Sequence, residues 1–246
     1  MIGVFDSGLG GLSALRALSR ALPRADLLYY ADTAHLPIGE KSKAEICTAV
    51  KQALCFFSEQ GASHVLLACG TASAVALPEC KDLFAFKLYG IIESGARAAA
   101  RYSPGGRIAV IATRATVATH AYAHHILALR PDARVTELSC PALVTAAEAG
   151  VSEGVTEALS PLVESDADTL LLGCTHFPLL RDTIAALLPA MHPIDPAAQA
   201  VRALLPHLPK EGHGRRECVT TGDPIPFAAR AAAVLGEPLP VRGLHL

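Results

Sequence analysis

The sequence predicts an α/β fold of mainly parallel sheets flanked by helices. Short apolar runs of strand length alternate with longer helical stretches, the order that parallel sheets with right-handed crossovers require. Two of those runs end alike: His64-Val-Leu-Leu-Ala-Cys69-Gly-Thr71-Ala-Ser73 and Asp168-Thr-Leu-Leu-Leu-Gly-Cys174-Thr175-His176-Phe-Pro178. Each places a thiol where the strand stops and a threonine within two residues. Ser103-Pro-Gly-Gly106 is a clear break, and after it the order of elements restarts as in a duplicated unit.

In chain order, residues 2–5 form a short apolar strand, and Asp6-Ser-Gly-Leu-Gly-Gly11 is a tight loop opening a helix through Leu12, Leu15 and Leu18. A second strand over 27–31 ends in Asp32-Thr33. Pro37-Ile38-Gly39 then turns the chain into a helix over 42–60. A strand over 65–68 leads to Cys69, and a helix over 72–83 and a strand over 88–91 complete the first half. The second half opens with Arg107-Ile-Ala-Val-Ile-Ala-Thr113-Arg-Ala-Thr116, a strand with a hydroxyl-bearing loop. A helix over 117–129, a strand over 135–138, helical segments over 142–164 and the Cys174 strand follow. Residues 206–217 are polar and rich in Pro and Gly, hence a loop, and the tail leads into an alanine-rich helix ending near Gly236.

Composition narrows the function. With 246 residues, 21 basic and 23 acidic side chains, a net charge of −2 and no long run of either sign, nothing points to nucleic acid or an anionic membrane as partner. The seven cysteines (47, 55, 69, 80, 140, 174 and 218) are odd in number and lack the spacing of a disulfide framework or a zinc ribbon, so reduced thiols are expected. The first residues lack the basic segment and apolar length of a signal peptide, and no span approaches twenty apolar residues. The expectation is a cytoplasmic protein.

A buried cysteine is usually a small hydrophobe, which suffices for Cys47, Cys55, Cys80, Cys140 and Cys218. Cys69 and Cys174 differ, because strand ends in α/β sheets are where ligands bind. A free thiol titrates near 8.5, so one acting as a base at neutral pH needs help from its neighbours. His176 stands close enough to Cys174 to give that help, or to be a hydrogen-bonded wall residue. His124-His125 is weak as a metal site, since adjacent helical residues face apart and no carboxylate stands at i+4. Asp6-Ser7-Gly8 lacks the second Asp of a phosphatase, and the loop lacks the third Gly of a dinucleotide fingerprint and any GxxxxGK. Asp6 is left to meet an ammonium, to orient a thiol, or to cap the following helix.

With Ile2-Gly-Val-Phe-Asp6-Ser-Gly-Leu-Gly-Gly11, Asp32-Thr33, Pro37-x-Gly39, Cys69-x-Thr71-Ala-Ser, Gly90-Ile-Ile-Glu93, Cys140-Pro141 before Glu148, Gly173-Cys-Thr-His176 and Thr221-Gly-Asp-Pro-x-x-Phe227, the chain resembles the glutamate racemases of the aspartate/glutamate racemase superfamily. The resemblance runs nearly end to end. It implies two pseudosymmetric α/β domains, residues 1–92 with 206–246 and residues 93–205, closing over substrate in the cleft between them. It also implies a cofactor-independent, metal-free racemase, a homodimer, that supplies D-glutamate for peptidoglycan. Two cysteines suit that chemistry: inverting a stereocentre through a planar carbanion takes a base on one face and an acid on the other.

Carried over residue by residue, the resemblance makes Cys69 and Cys174 the proton-transfer pair, with Asp6 beside the first and His176 and Glu148 beside the second. Substrate contacts fall on Asp6, Ser7, Pro37, Ile38, Gly39, Cys69, Gly70, Thr71, Thr113, Thr116, Cys174, Thr175 and His176. Two positions depart from the pattern, since Gly70 replaces the usual Asn and Ile38 the usual Tyr. These departures open two alternatives: a racemase of aspartate or another amino acid, or a weakly catalytic binding or regulatory protein. They also predict that Gly70→Asn and Ile38→Tyr raise kcat/KM for glutamate. No lysine falls in a strand-end motif, which speaks against a pyridoxal phosphate Schiff base.

Overall fold

The computed structural model describes residues 1–244, within which ten strands form two sheets. The strands are β1 (Ile2–Asp6), β2 (Leu27–Ala31), β3 (His64–Leu67), β4 (Lys87–Gly90), β5 (Arg107–Ala112), β6 (Arg134–Ser139), β7 (Thr169–Leu172), β8 (His192–Ile194), β9 (Arg216–Thr220) and β10 (Val241–Gly243). The first sheet runs β10-β9-β2-β1-β3-β4 and the second β6-β5-β7-β8, with every described pairing parallel. The repeat foreseen from the sequence appears as topology. The order β2-β1-β3-β4 matches β6-β5-β7-β8 strand for strand, so Cys69 after β3 and Cys174 after β7 occupy equivalent places.

β1, β2 and β7 are buried along their whole length, as strands covered on both faces must be. On one face of the first sheet, Phe5, Tyr30, Phe56 and Phe57 form a ring cluster, with Tyr30 and Phe56 centroids 5.5 Å apart. The other face buries Val4 and Tyr29 in a cluster with Leu12 and Leu15 of the helix Leu12–Ala21 and Phe227 of the helix Pro224–Leu235. Residues Leu143, Leu159, Leu172 and Phe177 pack a third cluster in the second half.

Several elements differ from the sequence reading. The helix expected over 72–83 is a wide π-type turn, Ala72–Ala76, followed by a short α-helix, Leu77–Cys80. Pro78 has no N–H to continue a regular helical ladder there. The helix expected over 117–129 is two helices, Arg114–Ala118 and Ala121–Leu129, parted by His120 in the left-handed region at φ 52°. Its ring meets the Glu137 carboxylate at 2.5 Å. The helices Ile92–Tyr102 and Pro196–Leu204 and the strands β8, β9 and β10 had no counterpart in the sequence reading. The 206–217 loop stops short, because β9 begins at Arg216 to pair with Leu27 of β2.

Candidate active site

β1 delivers Asp6 into the interior, where it is fully buried. One oxygen accepts the Gly8 N–H at 2.8 Å and the other accepts the Thr175 hydroxyl at 2.8 Å, tying the first strand-end loop to the second half. Burial pushes the Asp6 carboxyl up, against the pull of His176 and these donors. The Tyr29 hydroxyl braces the loop from beneath by donating to the Gly8 carbonyl at 2.8 Å.

The glycines of this loop serve close approach. A Cβ on Gly8 would stand 2.6 Å from Glu148 Oε1, and one on Gly10 would stand 2.6 Å from the Thr175 carbonyl carbon. Bare backbone lets the loop sit directly on the Cys174 loop.

Cys69 follows β3 and is held by the turn after it, in which the Ser73 N–H donates to the Cys69 carbonyl at 2.9 Å. Ser73 Oγ in turn donates to Leu67 and accepts from Ile91, locking the turn to β3 and β4. Burial, reinforced by the Asp6 carboxylate, pushes the Cys69 thiol up to about 12, and the Ser7 hydroxyl lies 3.9 Å from the sulfur. Cys174 stands differently. Its Sγ lies 3.6 Å from His176 Nδ1, and His176 Nε2 lies 2.5 Å from Glu148 Oε1. Burial opposes the charged imidazole, yet Cys174 and Glu148 together hold His176 well above its ordinary value. Glu148, half of a bridge to Arg230 at 2.8 Å, is held below its ordinary value: its burial is outweighed by His176 and Arg230. One thiol thus faces an acidic, desolvated corner and the other an imidazole.

Both thiols line one cavity of about 200 Å³, below the roughly 300–1,000 Å³ of sites for drug-sized ligands. Of the residues named from the sequence, Ser7, Pro37, Ile38, Gly39, Thr71, Thr113 and His176 line it with them. Asp6, Gly70, Thr116, Thr175 and Glu148 do not. Thr116 is bonded into a hydroxyl triad with Thr113 at 2.9 Å and Thr71 at 3.3 Å; Thr175 is spent on Asp6, and Glu148 stands behind His176. Gly70 faces Gly173, where a Cβ would overlap the carbonyl oxygen. This close approach runs against the expectation that Gly70→Asn raises kcat/KM for glutamate.

Leu36, Glu40, Pro141, Ala142, Val144 and Thr145 also line the cavity and were not anticipated. Their signal was adjacency to Pro37-Ile38-Gly39 and to Cys140-Pro141. No Lys or Arg reaches the wall, so a bound carboxylate would meet hydroxyls and amides. Among the described residues, no cluster of three or more His, Cys, Asp or Glu could hold a metal ion. Asp32 and Thr33 bond to Thr221 and Thr220, at 2.9 and 2.7 Å, and so join β2 to β9.

The two thiols line the same cavity, each just after an equivalent strand of its sheet. The chain belongs to the Asp/Glu/hydantoin racemase family, whose model matches residues 2–204. It is an amino-acid racemase, an isomerase of the class that works without pyridoxal phosphate. The glutamate racemase of Gloeobacter violaceus is 46% identical over 242 residues, covering 94% of this chain and 91% of the relative. A crystal structure of a glutamate racemase isoform from Bacillus anthracis superposes with a TM-score of 0.93 at 31% identity, covering 100% of this chain and 97% of that one. The Francisella tularensis glutamate racemase, solved with D-glutamate, gives 0.88 at 29% identity, covering 99% and 97%.

Proposed function

We propose that this chain interconverts L- and D-glutamate by proton transfer between Cys69 and Cys174. The observation that carries the reading is the pair of strand-end thiols lining one cavity. One cysteine, as thiolate, takes the α-proton; the C–H electron pair remains on the α-carbon, delocalised into the carboxylate. The other, as thiol, gives its proton to the opposite face and is left as thiolate. The reverse reaction exchanges their roles. Asp6 and Ser7 serve Cys69, while His176 and Glu148 serve Cys174. Thr71 and Thr113 present hydroxyls to the substrate carboxylates, with Thr116 holding Thr113 in place. No cofactor takes part.

The reading extends to two domains, residues 1–92 with 206–246 and residues 93–205, each carrying one thiol-bearing sheet. It extends also to a homodimer, for which exposed Tyr102, Leu127 and Leu129 on packed helices offer apolar surface. In the cell the product would be cytoplasmic D-glutamate for peptidoglycan. No helix among the described residues is long and apolar enough to cross a membrane.

The test is incubation of each enantiomer of glutamate in deuterated water without added cofactor. The expected result is loss of the α-proton signal and convergence to a racemic mixture. Buried Ile38 in the wall favours one rival, a racemase of aspartate or another amino acid, so both acids are run in parallel. Inertness toward every acidic amino acid would leave only a binding or regulatory role.

A further inference from the structure

We propose that Arg230, on the helix Pro224–Leu235, is a positioning residue for the Cys174 side of the site: its guanidinium fixes the Glu148 carboxylate against His176 and so sets how readily Cys174 gives up and regains its proton. The proposal rests on the two-thiol reading above. It starts from how Glu148 divides its oxygens. Oε1 meets His176 Nε2 at 2.5 Å and the Leu9 N–H at 3.4 Å, while Oε2 is held by Arg230 at 2.8 Å. The same guanidinium nitrogen also donates to the Glu148 backbone carbonyl. That carbonyl lies in the last turn of the helix Pro141–Ala149, the negative end of its dipole, where a cation is favoured.

An exposed arginine paired with a carboxylate ordinarily contributes little. Here the partner carboxylate is engaged on its other oxygen with a buried imidazole, which in turn stands 3.6 Å from Cys174 Sγ. The terminal torsion of a glutamate is soft and roughly two-fold, so an Oε2 left free would let the carboxylate turn away from His176. Gripping both the side chain and its own backbone carbonyl removes that freedom. Charge acts in the same sense. Arg230 favours ionised Glu148, and ionised Glu148 favours the imidazolium that faces Cys174. The titratable and charged groups facing His176 are Glu148, Cys174 and Asp6, those facing Glu148 are His176, Arg230 and Tyr29, and those facing Cys174 are His176, Cys69 and Tyr122. Arg230 alone among these is half exposed and distant from the cavity wall, so it can be replaced without touching the substrate.

The test compares wild type with Arg230→Gln and Arg230→Lys. Iodoacetamide modification of Cys174 and Cys69 is followed separately by peptide mapping across pH. Arg230→Gln is expected to slow Cys174 modification near neutral pH about tenfold and to leave Cys69 within about twofold. Arg230→Lys should recover part of the loss, and kcat for racemisation should fall with KM nearly unchanged. An unaltered Cys174 profile overturns the proposal, as does an equal change at both thiols. The thiol readout needs no substrate. Slowed Cys174 in a protein inert toward glutamate would sink the substrate assignment alone, whereas normal Cys174 in an active racemase would sink the role of Arg230 alone.

Discussion

Gly70 rests against the carbonyl of Gly173: a Cβ built at position 70 would come closer than 3.0 Å to that oxygen, and it would lie 3.8 Å from the Cys174 Cα. The two loops that carry the thiols are therefore in backbone contact, and the hydrogen on Gly70 is what permits it. Gly70→Ala must push the loops apart, and a displacement near 1 Å at a reacting centre can cost about 10²-fold in rate. The expected outcome is a large fall in kcat for Gly70→Ala and a larger one for Gly70→Asn, read from steady-state kinetics on both enantiomers. Wild-type turnover in Gly70→Ala would show that the contact is not needed. Ile38→Tyr, which faces the cavity, is still expected to raise kcat/KM for glutamate over aspartate.

Cys69→Ser and Cys174→Ser should each abolish racemisation in both directions, because inversion uses an acid and a base in one turnover. Solvent exchange should survive for one enantiomer only, the opposite one in the two variants. Deuterium incorporation into each enantiomer, followed by NMR, checks this. Full activity in either variant rules out the pair.

The Cys69 thiol, lifted to about 12 by burial and then by Asp6, should resist alkylation at neutral pH in the free enzyme. Asp6→Asn removes the negative charge that disfavours the thiolate, so the alkylation profile of Cys69 should move to lower pH. Racemisation should nevertheless fall, on the order of 10²-fold or more. Rate against pH for both proteins gives the answer, and a profile displaced upward would contradict it.

The Glu148 and His176 pair should leave a signature in stability. Glu148 is held below 4.5 in the folded protein, so its contribution is present above that pH and lost as pH falls through the folded value. His176 is held above 6.5, so its contribution is complete below that pH and lost as pH rises through the folded value. The Tm deficit of Glu148→Gln should be widest between about pH 4.5 and 6.5 and should narrow on either side. A deficit that does not vary with pH would mean the pair is not ionised as described.

Dialysis against chelator and treatment with hydroxylamine should leave turnover unchanged, since no strand-end lysine or metal cluster is in place among the described residues. Activity lost and then restored by a metal ion would identify a requirement that the cavity wall does not suggest.

Strand-end thiols, the Asp6 loop and the break after Ser103 were readable because each is a local pattern of a few residues with a physical meaning. The helix Ile92–Tyr102 escaped because it opens without a side-chain cap, just after the strand β4. His120 escaped because its left-handed backbone carries no sequence mark such as glycine. The misreading of Gly70 has the same root as the silence about Arg230. Both act on residues far along the chain, Gly173 and Glu148, and no local pattern records such an encounter.

Asp6 and Thr175 are bonded across 169 residues, Glu148 and Arg230 across 82, and the sheet that begins at Ile2 takes in β9 and β10 near the far end of the described chain. Contacts of such reach form slowly, because long loops must close before they are rewarded. A ribosome therefore emits both thiols well before the helix bearing Arg230 and the last strands of the first sheet. Until those arrive, Gly70 can already meet Gly173 and Asp6 can meet Thr175, but Glu148 lacks its guanidinium partner and the first sheet lacks two of its strands.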